Sequence, residues 1–335
     1  MKKVFSVLLC LTMLLGAVGA SAELATPVFL TFATQEVGTA AYNYSAALQA
    51  VFEDVLPAGS SIDLATTSPG GVGAPIVLDN GQCDLIMSNA GPAKWAATTG
   101  ILDNPPTTNT RALAGGLGHD FLNVLFTQEF VEKTGITTME ELVEQKYPVR
   151  FAIKANGTLG ALAAEKVLAT FDLTFDDIRA WGGDVTQTGG DAIKTLLQDG
   201  NADMTIDHVG AGQANTTELC MSTKMYFPQL ADETLAKLAA DGFDYIDIEA
   251  DTWNGQTEVI KSVGSQQVVL VSANMEDDVA YALVKALCEN KDTLAASMAA
   301  LGHFDPATAG IPGKAGVEVH PGAARYYTEM DYSMD

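Results

Sequence analysis

The chain has 335 residues, 47% of them apolar and 18% charged, which is enough for two ordinary domains with packed cores and too apolar for a disordered chain. Its formal charge of −24 argues against a nucleic-acid partner, whose phosphates need a basic face, and against docking on an anionic lipid surface. Small anionic ligands stay open, because helix dipoles act locally and can override net charge.

The chain opens with Met1, Lys2 and Lys3, an apolar run from Val4 to Val18, and Ala20-Ser21-Ala22. A basic start, a short apolar stretch and a small-x-small exit predict a cleaved secretory signal over residues 1–22. The run falls short of the roughly 20 apolar residues a membrane span needs. Cys10 follows Val7-Leu8-Leu9, without the small residues a lipid-attachment site requires. The mature protein is therefore expected free in a periplasm, with no membrane anchor.

Short apolar runs then alternate with amphipathic stretches. Strands are predicted at Val28–Thr31, Ser61–Ala65, Asp84–Met87, Leu122–Phe126, Val149–Ile153, Asp203–Ile206 and Val268–Val271. Helices are predicted at Ala40–Val55, through Ile76–Asp79, and at Thr158–Thr170, Ala192–Gln198 and Asp277–Glu289. This alternation is that of a parallel, helix-covered α/β sheet. Ile76–Met87 and Ile193–Ile206 echo each other: a helix, a glycine stop, then a strand entered through Asp84 or Asp203. The echo predicts two lobes on one plan. No Pro-rich linker parts them, so the chain is expected to cross along strands, near Gly118–Phe126 and Ser265–Val271. That divides it into a first lobe of 23–122 with 268–335 and a second of 123–267.

A catalytic constellation is not found. His119, His208, His303 and His320 have no metal-ligand spacing, and no nucleophile elbow, phosphate loop, dinucleotide fingerprint or calcium loop is present. No catalytic residue, metal or cofactor is therefore assigned. The three cysteines beyond the signal, Cys83, Cys220 and Cys288, lie in apolar surroundings and read as buried thiols. Export permits a disulfide, and the odd count leaves at least one cysteine outside any internal pair.

What recurs is a turn rich in Gly, Ser, Thr and Asn, after a strand and opening a helix. Six occur: Gln35–Thr39, Thr67–Gly73, Ser88–Gly91, Ala155–Gly160, Trp181–Gly190 and Asp207–Gln213. Helix starts offer free N–H donors and a positive dipole end, and in open α/β sheets they gather at one edge. Any one of them is equally what ordinary N-capping produces. Six together point to a donor-lined cleft suited to a carboxylate.

Several motifs resemble the TAXI-type receptors of TRAP transporters. They are Gly38-Thr39, Ser68-Pro69-Gly70-Gly71-Val72-Gly73, Asp84-Leu85-Ile86, Ala93-Lys94-Trp95-Ala96, Tyr147-Pro148-Val149-Arg150 and Gly157-Thr158-Leu159-Gly160. Trp181-Gly182-Gly183, Asp199-Gly200-Asn201-Ala202-Asp203, Ala286-Leu287-Cys288-Glu289-Asn290 and the distinctive His320-Pro321-Gly322-Ala323-Ala324-Arg325-Tyr326-Tyr327 continue the likeness. The resemblance implies a type II periplasmic-binding-protein fold, two α/β lobes joined by crossing strands with a ligand cleft between. It implies capture of a small carboxylate such as glutamate, glutamine or a dicarboxylate, and delivery to membrane permease subunits driven by an ion gradient. A monomer is expected.

The candidate ligand contacts follow from the turns. In the first lobe they are the hydroxyls of Thr39 and Tyr42, Gly71 with Gly70 and Val72 for close backbone approach, and Ser88 with Asn89. In the second lobe they are Asn156, Gly157, Thr158 and Leu159 as a carboxylate cradle, Trp181 as an apolar cover, Asp207 for an ammonium group and His208 as a switchable donor. The segment His320–Tyr327 is expected to pack the chain end on the first lobe. A sensing module would share the fold; an exported hydrolase would need a nucleophile–base pair or metal that the sequence does not display.

Overall fold

The computed structural model describes residues 24–335 apart from Glu36, Gly38 and Thr39. The expected signal peptide over 1–22 and the candidate Thr39 lie outside the described residues. The chain begins with β1 (Phe29–Ala33), α1 (Ala40–Glu53), β2 (Ser61–Ala65), α2 (Ala74–Asp79), β3 (Leu85–Asn89) and α3 (Ala90–Thr98). Next come β4 (Thr110–Ala114), β5 (Asp120–Thr127), α4 (Gln128–Thr134), α5 (Met139–Glu144), β6 (Arg150–Lys154) and α6 (Leu159–Ala169). There follow α7 (Phe175–Ala180), β7 (Asp184–Thr188), α8 (Gly190–Gln198), β8 (Met204–Gly210), α9 (Ala214–Ser222) and β9 (Met225–Tyr226). The last part holds α10 (Asp232–Asp241), β10 (Asp244–Ile248), β11 (Ile260–Gly264), β12 (Gln267–Ser272) and α11 (Asp277–Glu289). Helices α12 (Lys291–Ser297), α13 (Pro312–Ala315) and α14 (Pro321–Glu329) close the chain.

These strands build two five-stranded sheets, ordered β2-β1-β3-β12-β4 and β7-β6-β8-β5-β9, while β10 and β11 form a separate antiparallel pair. The two orders are one plan used twice. The architecture is α/β and two-lobed, of the periplasmic-binding-protein type. The sheets are mixed, which corrects the parallel expectation: β12 runs antiparallel to β3 and β4, and β5 antiparallel to β8 and β9. The reason is the crossing. A strand that enters a sheet from the other lobe has no crossover helix behind it to turn it parallel.

The sequence echo has a structural cause. Asp84 donates its N–H to Thr31 O at 2.9 Å and accepts the Thr31 N–H on its carboxylate at 2.8 Å. Asp203 does the same with Arg150, at 2.8 and 2.8 Å. The carbonyl of each Asp then accepts an N–H from the arriving antiparallel strand, Ser272 for Asp84 and Thr127 for Asp203. One Asp, through its carboxylate and its own backbone, thus closes three strands at the edge where the parallel strands start.

Side chains alternate across each sheet, and both faces are covered, so both read as apolar. In the first sheet Phe32, Leu85 and Val269 face one core, with Leu48 and Leu283, while Ala33, Ile86 and Val268 face the other, with Leu78. In the second, Phe151, Ile206 and Val124 oppose Ala152, Leu125 and Phe121. Trp95 of α3 belongs to the second core: its ring meets Phe243 edge-on at 5.5 Å and its Nε1 donates to Asp241 O at 2.7 Å. The three described cysteines are free and buried. Burial pushes the thiols up, to about 12 for Cys83, about 11 for Cys220 and about 12 for Cys288, so they stay protonated and unreactive.

The chain end packs on the first lobe. Tyr327 donates its hydroxyl to Leu113 O at 2.9 Å, and His320 caps α14 by accepting the Gly322 N–H on Nδ1 at 3.2 Å. The imidazole must then be neutral, with its proton on Nε2 facing Met275 O at 3.1 Å. Burial lowers the His320 pKa, against a weaker pull from Asp277. The unfolded chain therefore takes up this proton first, so the neutral ring supports the fold above about 6.5 and stability falls as pH drops through that value. Melting curves at pH 7.5 and 5.5 are expected to show a smaller acid loss in His320→Asn, which keeps a capping acceptor without the titration, than in the natural chain.

Candidate functional site

The carboxyl ends of the central strands of both sheets meet at one residue of the crossing. Asn89 ends β3, and its Nδ2 donates to Ser265 O at 2.7 Å. His208 stands at the same place of the repeat in β8, and its Nε2 accepts the Ser265 N–H at 2.8 Å. Burial depresses the His208 pKa, with Asp120 opposing, so the ring is held neutral as that bond requires. The start of α3 is spent on the same segment: Ala90 N–H reaches Gln266 O at 2.9 Å and Gly91 N–H reaches Ser265 Oγ at 2.7 Å. Asn89 and His208 therefore hold the crossing between the lobes.

The other first-lobe candidates lie beside them. Ser88 is buried and donates to Gly71 O at 2.8 Å. Gly71 is needed for contact, because a Cβ there would stand 2.3 Å from Asn89 Oδ1. Val72 is buried behind the turn. Tyr42 is half-buried in the first turn of α1.

In the second lobe Asn156, Gly157 and Thr158 are exposed and Leu159 is half-buried. The Thr158 hydroxyl is occupied at both ends of its hydrogen-bonding capacity: it donates to Ala155 O at 2.7 Å and accepts the Ala161 N–H at 3.2 Å. Its role is to cap α6. Trp181 is not brought to this end. It caps the end of α7 ahead of β7, and β7 runs parallel to β6 from Asp184 beside Arg150 to Thr188 beside Lys154. Trp181 therefore lies at the far end of the sheet, packed half-buried on the second core. The expectation had placed it after a strand, and the chain places it before one.

Asp207 lies 3.3 Å from Lys154 Nζ and accepts the His208 N–H at 2.9 Å. Burial raises its pKa, with Lys154 opposing. Lys154 is the functional candidate that the sequence reading missed. It ends β6 and reaches the start of α8, where the N-cap Gly189 offers no side-chain cap. A Cβ on Gly190 would stand 2.6 Å from Asn215 Nδ2 and 2.9 Å from Lys154 Nζ. An ammonium, an amide and a bare helix start thus converge where glycine leaves room, which is a set of donors for an anion. The signal was in the chain: Lys154 directly follows the apolar run Phe151–Ile153, and it precedes the turn singled out as the cradle.

Lys154→Ala should leave the Asp207 carboxylate without its cation. The cost is expected at about 1–3 kcal/mol in urea unfolding, below the ~3–5 of a fully buried pair because both side chains keep some exposure. Adding Asp207→Asn should recover part of that loss.

The NMT1-like family model matches residues 32–330. A TctC solute binding protein from Polaromonas superposes with a TM-score of 0.52 at 13% identity, over 91% of this chain and 98% of that one. XAC2383 from Xanthomonas citri, bound to chloride ion, superposes with a TM-score of 0.50 at 11% identity, over 90% and 95%. At such identities the likeness is one of fold. A search among curated proteins finds no match. The family match runs through both sheets and both crossings, and the chain belongs to the NMT1-like family.

Proposed function

We propose that the protein is an extracytoplasmic solute receptor of the TAXI type. In this reading residues 1–22 export it to the periplasm, where it works unanchored as a monomer, captures a small carboxylate and delivers it to TRAP permease subunits. It acts by binding, with no cofactor and no catalytic step. The lobes are 23–122 with 268–335 and 123–267. The sheet memberships support this division, with the start of β5 at Asp120 drawing the first boundary a few residues earlier.

The observation that carries the reading is the donor set of Lys154, Asn215 and the uncapped start of α8. It lies on the second lobe, to which the chain crosses along strands. A carboxylate seated there and touched from the first-lobe turns would favour the closed arrangement, because only that arrangement presents both sets of contacts. Glutamate, glutamine and dicarboxylates are the ligand class proposed, with Thr39, Tyr42 and the 70–72 turn as the first-lobe contacts.

Ligand binding to the folded state alone stabilises it by about 2.7 kcal/mol at a hundredfold excess over Kd. A thermal-shift panel of amino acids, C4–C6 dicarboxylates, sugars and cations is expected to show upward shifts with carboxylates, abolished in Lys154→Met. Shifts with sugars or cations and none with carboxylates would overturn the reading. Unchanged affinity for a bound carboxylate in both Thr158→Ala and Asp207→Ala would remove those two residues from the site.

A further inference from the structure

Because the fold is used twice, the first lobe shows what the second one requires for packing alone. Val268 and Ile86 line the helix-facing side of the first sheet beside α2, at register positions opposite Ser88 and Leu270. The counterparts in the second lobe, counted from Asp84 and Asp203, are Asn123 and Thr205, opposite Asp207 and Leu125. Both are buried, at 2% and 5% exposure, yet Asn123 Oδ1 and Thr205 Oγ1 have no hydrogen-bond partner. An unpaired buried polar group costs about 1–3 kcal/mol, and the first lobe shows the fold accepts aliphatic residues at both positions. The same comparison sets Asp207 and Lys154 against the neutral Ser88 and Gln35.

These four side chains line one small cavity between the second sheet and helices α8 and α9, of about 20 Å³. That volume holds one water-sized group, a single oxygen or nitrogen with its protons. The unpartnered Asn123 Oδ1 and the Asp207 carboxylate are acceptors, Thr205 Oγ1 can accept as well as donate, and Lys154 and the start of α8 are donors.

We infer that Asn123 and Thr205 form an internal subsite of the second lobe that takes a hydrogen-bond-donating group, ammonium or hydroxyl, carried next to the ligand carboxylate. The inference rests on the carboxylate reading above and narrows it. The carboxylate sits on Lys154, Asn215 and the start of α8. The neighbouring N–H or O–H points inward to Asn123 Oδ1, Thr205 Oγ1 and Asp207. A plain carboxylate leaves these acceptors unpaired, so it binds more weakly.

The test is titration calorimetry with two probe pairs that differ by one group, L-glutamate against glutarate and L-malate against succinate. The natural protein is expected to prefer the donor-bearing member of at least one pair by about tenfold or more, the effect of roughly one well-made hydrogen bond. Which pair shows the preference distinguishes ammonium from hydroxyl. In Asn123→Val with Thr205→Ile, which copies the residues of the first lobe, the preference should fall to within about twofold, with cooperative melting retained because both changes remove unpaired polar groups. Thr205→Val, nearly the same shape, decides the matter if the double variant does not fold, and should lower the same ratio severalfold. No preference within either pair, or a preference unchanged by these substitutions, overturns the subsite and makes the cavity a water site, while leaving the carboxylate reading standing. No binding of any of the four probes counts against the carboxylate reading itself, and the subsite falls with it.

Discussion

Each five-stranded sheet of this protein is completed by a strand that arrives from the other lobe. β12 enters the first sheet between β3 and β4, and β5 enters the second between β8 and β9. Most of the remaining arrangement depends on that exchange. It makes the sheets mixed, and it puts the arriving backbone under the carbonyls of Asp84 and Asp203. It also leaves the short segment at Ser265–Gln266 as one of the covalent joints between lobes. Asn89 and His208, at matching places of the two repeats, grip that joint from opposite sides. A joint held by hydrogen bonds to backbone keeps its position while torsions on either side adjust, which suits an opening and closing cleft.

Repetition of one plan also separates what packing demands from what chemistry demands. The Asp84 and Asp203 clamps occur in both lobes and are structural. The pairs Ile86 and Thr205, Val268 and Asn123, Gln35 and Lys154 differ, and in each case the second lobe carries the more polar or charged residue. The first lobe has buried unpartnered hydroxyls of its own, at Thr34 and Ser45, but at the places matching Thr205 and Asn123 it carries Ile86 and Val268, so the fold does not require polar groups there. Net charge does not speak against an anionic ligand here. The local field comes from Lys154 and a helix start within hydrogen-bonding reach, and screening confines the distant acidic surface to a smaller effect.

Much of the element pattern was legible in the residues. Ser61–Ala65 and Asp277–Glu289 have the ends that propensity and punctuation predict. Thr158 and Thr170 flank α6 as its two caps. The echo around Asp84 and Asp203 announced two lobes, because an Asp at the same place closes the same three-strand edge in each. The parallel expectation failed for β5 and β12 because strand direction is decided by where a strand comes from, which periodicity does not record. Trp181 misled for a related reason: a turn before a strand and a turn after one look alike in composition but lie at opposite ends of a sheet.

Local chemistry in the chain thus determined much of the secondary structure and the repeat, since propensity, capping and hydrophobic period act over a few residues. Tertiary structure alone decided which polar groups are satisfied. Ser88 and Asn89, read as ligand contacts, are bonded to Gly71 and Ser265. Lys154, which falls between the predicted strand Val149–Ile153 and the turn Ala155–Gly160, stands against Asp207 and the start of α8. Asn123, read as part of an apolar strand, is buried opposite Asp207 with an unpaired oxygen. Hydrogen-bond satisfaction depends on residues far apart in the chain coming within about 3 Å, and no local pattern carries that information.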